Sequence, residues 1–378
     1  MRIAILETVP EDPTLLRQWN ELVLQLPDAQ VFYTYEWSLA VYRAYAATLH
    51  PLIFLGYDDA SSLRAVVSLA LDSEKRRASF LCATTGDYCD FLASAEHKQA
   101  FVSSVMGHLK ERGVGEITLT NLPDDSSTVR AIEQASMATG YRQFARTAYR
   151  CAQVRLSGIE RREGDKKLKL PGSKMVRRSL SAMAGTSPIR LDHARDGDAI
   201  ARLLPEFVKA HITRFNAIGR YSNLEEPERQ IFLSELAKLL GASGWLILTR
   251  MMTGDKVLAW NYGFRFQGSW FWYQPTFETD LERFSPGFCL LSKLIEEASE
   301  DPSLKIVDLG LGAEEYKNRF ANDGRRTLYV TLRRSMVKHV KEILRHGVAE
   351  ALKTSPPLER SARGVVSRLR VLRKGKNR

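Results

Sequence analysis

The sequence predicts an α/β (α+β layered) protein of two tandem units with mixed sheets, followed by a basic helical tail. Three observations predict it. Apolar runs of strand period alternate with runs of helical period over the first 333 residues. The two halves repeat one order of elements. The net charge of +11 is concentrated: residues 334–378 hold thirteen Lys/Arg against three acids, ten of those eleven charges. The expected division is a first unit over 1–156, a basic linker and helix over 157–183, a second unit over 184–335, and a basic amphipathic tail over 336–378.

The first unit opens with a strand over 2–6, an acidic proline turn and an amphipathic helix over 13–26. The run 32–46 places Trp37, Val41, Tyr42 and Tyr45 at helical spacing, which reads as core rather than as a binding box. Strands over 51–57 and 63–71 flank the polar turn 58–62 as a hairpin, and a third strand covers 77–82. In 86–92, Asp87 and Asp90 flank Tyr88 and Cys89. Two nearby carboxylates could form a metal or acid/base pair, but no histidine or third acid stands at a ligand spacing, so capping and turn roles are favoured over that. A helix over 96–112, a strand over 115–121, a helix over 125–139 and a strand over 150–156 complete this unit.

A polar, basic loop over 157–172 leads to a helix over 173–183 carrying Lys174, Arg177 and Arg178. A strand over 189–193 follows, then helices over 196–212 and 227–240, with Asp196 or Asp198 at the first start. Strands over 244–251, 257–266 and 269–275 are joined by turns containing Gly254-Asp255 and Gln267-Gly268. Ser285 suits the N-cap and Pro286 the first position of the next helix, whose apolar face is Leu290, Leu291, Leu294 and Ile295.

The stretch 306–320, IVDLGLGAEEYKNRF, reads as a short buried strand broken by Asp308, a tight turn at Gly310 and Gly312, and a short charged helix. Ligands of open α/β sheets sit beyond the carboxyl ends of strands, so this stretch is a candidate site. An i,i+3 salt bridge between Glu314 and Lys317 would account for the same letters structurally. A strand over 327–333 closes the second unit.

Composition excludes several classes. With 44% hydrophobic and 26% charged residues, the chain reads as an ordinary globular protein. Cys82, Cys89, Cys151 and Cys289 form no C-x-x-C pair and read as reduced, buried thiols. Neither a secretory signal nor an apolar run of membrane-spanning length occurs, so a cytoplasmic location is expected, with contact at the inner face of the membrane as an extension. Positive charge sits in 155–178 and in the tail, which leaves the rest of the body mildly acidic and argues against a DNA binder. The G-x-S-x-G elbow, the P-loop and H-E-x-x-H are absent. In the tail, Met336, Val340, Ile343, Leu344 and Val348 recur at helical spacing among Lys338, Lys341 and Arg345. Two readings stand: a helix lying on anionic lipid, or a helix docked on the body before a solubilising end.

The succession K-x-x-R-R (Lys174, Arg177, Arg178), H-x-x-R-F (His211, Arg214, Phe215), S-P-G-x-x-L-L from Ser285 and D-x-G-x-G-x-E-x-Y-K-x-R-F from Asp308 resembles the CelD-like acyltransferases of the GNAT superfamily. Those proteins are often associated with cellulose or exopolysaccharide loci. Trp37-Ser38, His50-Pro51, Asp87-Tyr88 with Asp90, and Asn121-Leu122-Pro123 fit the same family, so the resemblance spans about residues 30–335. It implies two GNAT-type units side by side, similar to the Fem aminoacyl ligases. It also implies transfer of an acyl group from acyl-CoA, acetyl-CoA first, to an amine or hydroxyl of a small molecule or saccharide precursor, without a metal.

Carried onto this sequence, Lys317, Glu314, Tyr316, Asp308 and His211 are the catalytic candidates; His211 beside Phe215 also fits a core residue. Arg283, Ser285, Gly287 and Phe288 fall where the donor's pyrophosphate meets a helix start, whose free amides and positive end attract phosphate. The usual Q/R-x-x-G-x-G/A loop is missing, and Pro286 removes one amide donor. A backbone amide in the strands over 262–273 would hold the oxyanion. The alternatives are a Fem-like ligase using aminoacyl-tRNA, with RNA met by 155–178 and the tail, and an inactive scaffold of a polysaccharide machine.

Overall fold

The computed structural model describes residues 1–159, 168–185, 187–312 and 314–354. The first half runs β1 (Arg2–Leu6), α1 (Pro13–Gln25), α2 (Tyr35–Tyr45), β2 (Pro51–Tyr57), β3 (Leu63–Asp72), β4 (Arg77–Phe80), β5 (Leu92–Ala93), α3 (Ala95–Glu111), β6 (Glu116–Pro123), α4 (Ser127–Thr139) and β7 (Arg142–Arg155). The second half runs α5 (Ser173–Ala184), β8 (Ile189–Ala194), α6 (Gly197–Ala217), α7 (Pro227–Gly241), β9 (Leu246–Thr253), β10 (Lys256–Phe266), β11 (Ser269–Phe277), α8 (Pro286–Glu300), β12 (Ile306–Asp308), α9 (Glu315–Phe320), β13 (Asp323–Arg333) and α10 (Met336–Thr354). The predicted α/β class and mixed sheet are the ones observed.

Local chemistry sets the helix starts. Asp12 accepts from the Thr14 amide at 2.8 Å, Asp196 from the Ala199 amide at 2.8 Å, and Ser126 from the Thr128 amide at 3.1 Å, each satisfying a donor the helix cannot. Ser285 departs from expectation. It precedes α8 in a left-handed conformation (φ 51°, ψ 54°), and its side chain makes no capping bond.

The strands form one sheet in the order β1-β2-β3-β4-β6-β13-β7-β12-β11-β10-β9-β8, with β5 on β3. The strand expected to close the second unit does not stay with it. β13 is inserted between β6 and β7, antiparallel to both, so the last strand among the described residues completes the sheet of the first half. β7 in turn pairs with β12 and joins the halves. β7 is also far longer than the 150–156 strand read from sequence. Its first part, 142–149, is mostly polar or small, and strand formation there comes from seven paired positions along β13 rather than from apolar content.

Both halves share a core. Trp37 of α2 meets Phe232 of α7, Phe264 of β10 and Tyr273 of β11 edge-on, at ring separations of 5.3, 5.2 and 5.7 Å. Its Nε1 donates to Thr85 Oγ1 at 3.1 Å. The aromatic stripe read as core is therefore core, and it also fixes the loop after β4 against the second half. A second apolar layer, with α5 and α8, covers the opposite face of β10–β12.

Candidate active site

β11 and β12 run parallel for three residues, the last pair being Phe271 and Asp308, and then part. Beyond that point lies a cleft of about 710 Å³ lined from both halves: Thr84–Asp87 after β4, Asn121 of β6, Tyr149 of β7, Arg229 of α7, Tyr273 and Gln274 of β11, and Leu311 after β12. Open α/β sheets bind ligands in such crevices beyond strand ends. Opposite the opening, the β10–β11 ladder is irregular: Trp272 and Tyr273 together oppose Gly263. A two-against-one bulge takes backbone groups out of the ladder and re-aims the strand.

The cleft's acid is Asp87. The loop carrying it is held by Asn121, which stands at φ 58° and donates from Nδ2 to the Gly86 carbonyl at 2.9 Å. Asp87 lies against Gly310, whose φ of 67° and missing Cβ are both required: any Cβ there would collide with Asp87 Oδ2. The Leu311 amide donates to the carboxyl. Burial, then the neighbouring Asp308, push Asp87 up to about 7; Lys317 and Arg229 only partly offset them.

Asp308 is more deeply buried than the half-buried Asp87, and it is well supplied with donors. Oδ2 accepts from Tyr88 Oη and Gln153 Nε2, each at 2.7 Å, and Oδ1 from the Gly310 amide at 2.8 Å. Burial still raises its pKa, against those hydrogen bonds. Asp90, by contrast, accepts locally from the Phe91 amide at 2.7 Å, the turn role expected of it, and also from Ser126 Oγ, before α4, at 2.6 Å. Asp87 is the one whose expected turn role the structure corrects.

Arg229 is 5% exposed. It reaches Tyr273 Oη at 2.6 Å and the Thr84 carbonyl at 3.4 Å, and Tyr273 Oη donates on to the Thr85 carbonyl at 2.5 Å. Among the described residues no carboxylate pairs with Arg229, and its Nε has no hydrogen-bond partner. A buried guanidinium without an acid carries a desolvation cost that an anionic ligand would offset.

The sequence-predicted residues fall at different distances from this cleft. Lys317, 5% exposed, donates to the Leu311 carbonyl at 2.6 Å and pairs with Glu314 at 3.0 Å, so the i,i+3 bridge exists and ties the cleft's Leu311 rim to α9. Tyr316 accepts from Trp272 Nε1 at 3.1 Å; burial pushes its phenol up to about 12. His211 is buried behind Gln274, stacked on Phe215 at 4.5 Å, with Nδ1 2.8 Å from Ser222 Oγ. Burial, then Arg214, lower it to about 4, so the ring is neutral at ordinary pH. Arg283 and Ser285 are exposed, Arg283 lying over the Phe284 ring at 4.6 Å. Phe288 is buried against Phe320 at 4.5 Å, and a Cβ at Gly287 would approach Phe277 to 3.2 Å. These four cluster at the α8 start and do not line the cleft.

Sequence reasoning missed Asp87, Arg229 and Tyr273. Arg229 left a signal: with Phe232, Leu233, Leu236 and Leu240 it occupies the buried stripe of α7, where a solvated arginine would not stand. Asp87 belonged to the Asp87-Tyr88-x-Asp90 element, but its partner Asp308 is 221 residues away.

Residues 172–318 match the family described as acetyltransferase (GNAT) domain. By sequence, no curated protein matches the chain. Among solved structures, the fold is similar to a conserved protein of unknown function from Bacteroides thetaiotaomicron (12% identity, TM-score 0.59, covering 88% of this chain and 100% of that one). It is also similar to FemX (10%, 0.56, 91% and 99%) and to L-PGS from Bacillus licheniformis (10%, 0.54, 88% and 95%). The second half is thus similar to a GNAT acetyltransferase domain, and the whole sheet has a fold similar to that of these proteins. No helix among the described residues is long and apolar enough to cross a membrane.

Proposed function

We propose that the chain transfers an acyl group from an acyl-CoA thioester to an amine of a small molecule or saccharide precursor, with Asp87 as proton acceptor. The observation that carries this reading is the half-buried Asp87 carboxyl, pushed up to about 7, at the cleft where β11 and β12 part. An attacking amine must shed a proton, and a base whose pKa lies near the working pH serves best. In the reaction, the amine nitrogen bonds to the thioester carbonyl carbon, the carbon–sulfur bond breaks, and the thiolate leaves. Asp87 takes the amine's proton. A backbone amide at the Trp272–Tyr273 bulge would hold the developing oxyanion.

Within this reading, Arg229 meets an anionic group of the acceptor, while Lys317 and Glu314 position Leu311. Tyr316 and Asp308 support the cleft walls, and His211 braces Gln274. Arg283, Ser285, Gly287 and Phe288 mark the donor end at the α8 start. On this reading the chain holds two GNAT-like halves that meet at the site, with β13 (Asp323–Arg333) added to the sheet of the first. CelD-like kinship and a role in polysaccharide synthesis fit a saccharide acceptor.

Calorimetric titration with acetyl-CoA, followed by thiol release with an amine panel, tests the proposal. Micromolar binding and turnover with an acid limb near pH 7 are expected. No acetyl-CoA binding, together with no effect of Lys317→Ala or Asp87→Asn on any activity found, would sink it.

A Fem-like reading, with aminoacyl-tRNA as donor, draws on one observation: the α8 start lacks an amide at Pro286 and a capping bond at Ser285, which weakens a pyrophosphate site. It predicts RNA that co-purifies and is removed by salt.

A further inference from the structure

Helix α10 sits on the sheet by its polar side. Glu342 pairs with Arg333 and accepts from Thr331 Oγ1 at 3.1 Å, and the His346 ring meets Phe144 edge-on at 5.3 Å. His339, about two turns before His346, is half-buried on the same side. The other side is apolar and faces solvent: Val337 is 77% exposed, Leu344 64% and Val348 60%, with Met336, Val340 and Ile343 also exposed. At 3.6 residues per turn these side chains fill one continuous sector of roughly 140°. A helix that folds only for its own domain buries such a sector. α8 does so, with Leu290, Leu291, Leu294 and Ile295 all buried.

Lys338, Lys341 and Arg345 border the apolar sector and are exposed. Residues 355–378, which follow, hold eight Lys/Arg and one acid. We propose that α10 is a docking face for an anionic lipid surface, its apolar side chains entering the interface and its cations meeting lipid phosphates. The helix lies along the surface, since it is too polar to cross a bilayer. A second copy fits poorly: two such faces would oppose like charges, and Glu342 is already paired with Arg333. The residues after 354 are themselves basic, so they do not complement the cations either. A nucleic acid would meet the cations and leave the apolar side chains in water. β7 and β13, on which α10 rests, also supply Tyr149 and Tyr329 to the cleft, so docking would hold the cleft close to the bilayer.

The test is co-sedimentation of the full chain with phosphatidylcholine vesicles and with phosphatidylglycerol-rich vesicles. Partitioning onto the anionic vesicles should exceed that onto the neutral ones by about tenfold or more and fall with salt. The double variant Val340→Glu/Leu344→Glu should lose about tenfold in partitioning with its melting temperature unchanged, because both side chains are solvent-facing. The triple variant Lys338→Gln/Lys341→Gln/Arg345→Gln should weaken binding and flatten its salt dependence. Failure of the full chain to sediment with anionic vesicles would overturn the proposal. So would undiminished sedimentation of the double variant, which would assign any lipid contact to 355–378. A lipid-free dimer that the same double variant dissolves would give the face to a second copy instead.

Discussion

Asp87, half-buried, and Asp308, fully buried, are two carboxylates that meet around one glycine, and the fold treats them in opposite ways. Asp308, on β12, accepts three short hydrogen bonds and is walled in by Tyr88 and Gln153. Asp87, on a loop of the first half, receives one amide and faces a cleft. Burial that comes with donors makes a carboxylate a structural anchor; burial without them makes it a proton acceptor. Under the proposed function the comparison also divides the labour between halves, since the second half supplies the anchor and the first half the proton acceptor.

The sharpest way to break this contrast is Asp87→Asn. It should lower kcat by about 10²- to 10⁴-fold with KM little changed, and should abolish the acid limb near pH 7. A pH–rate profile checks both; a variant that keeps its rate removes Asp87 from the chemistry.

Next, Arg229→Gln should raise KM for an anionic acceptor by about tenfold to a hundredfold while kcat holds. Steady-state kinetics against neutral and anionic amines would reveal it. Equal loss with both would make Arg229 only a brace for Tyr273.

Asp308→Asn removes the like charge beside Asp87. The acid limb should then move below pH 7, toward ordinary carboxylate values, with a loss of about 1–3 kcal/mol in stability. An unmoved limb in a folded variant would show that the two carboxylates do not communicate.

Stability offers a further readout of Asp87. Its folded pKa of about 7 lies above the unfolded value, so between roughly pH 4 and 7 the folded state holds a proton that the unfolded state has released. Stability from this group is therefore greatest at acid pH and is lost as pH rises through 7. Asp87→Asn should make the protein more stable at pH 8, by a few kcal/mol at most, even as activity falls. Thermal melts across pH would show the gain narrowing on the acid side.

The smallest effect is expected at His211. With its pKa lowered to about 4, it is neutral wherever Asp87 is ionised. His211→Asn should change the rate by no more than about threefold and leave the profile's limbs in place. A vanished limb would return His211 to the chemistry.

Much of this was legible in the sequence because it is local. Helical spacing placed Trp37 and Leu290 in the core, Asp196 announced a helix start, and the two glycines after Asp308 announced the turn that opens the cleft. The i,i+3 pair of Glu314 and Lys317 was equally readable. What escaped was long-range. The strand over 142–149 is too polar to announce itself, because its pairing with β13 creates it. Asp87 looked like a turn residue because no histidine or third acid stands near it in sequence, while its partner Asp308 lies 221 residues away.

The sequence by itself determined the class of fold, the helix starts, the concentration of positive charge beyond residue 333 and the amphipathic period of α10. Periodicity, capping and charge are properties of a few consecutive residues, and they survive without tertiary context. Only the tertiary structure decided that β13 crosses into the first half, that Asp87 and Asp308 share a buried glycine, and that α10 turns its apolar side outward. Each depends on contacts between distant segments, and the side a helix presents and the pKa a carboxyl adopts are set by what lies across from it.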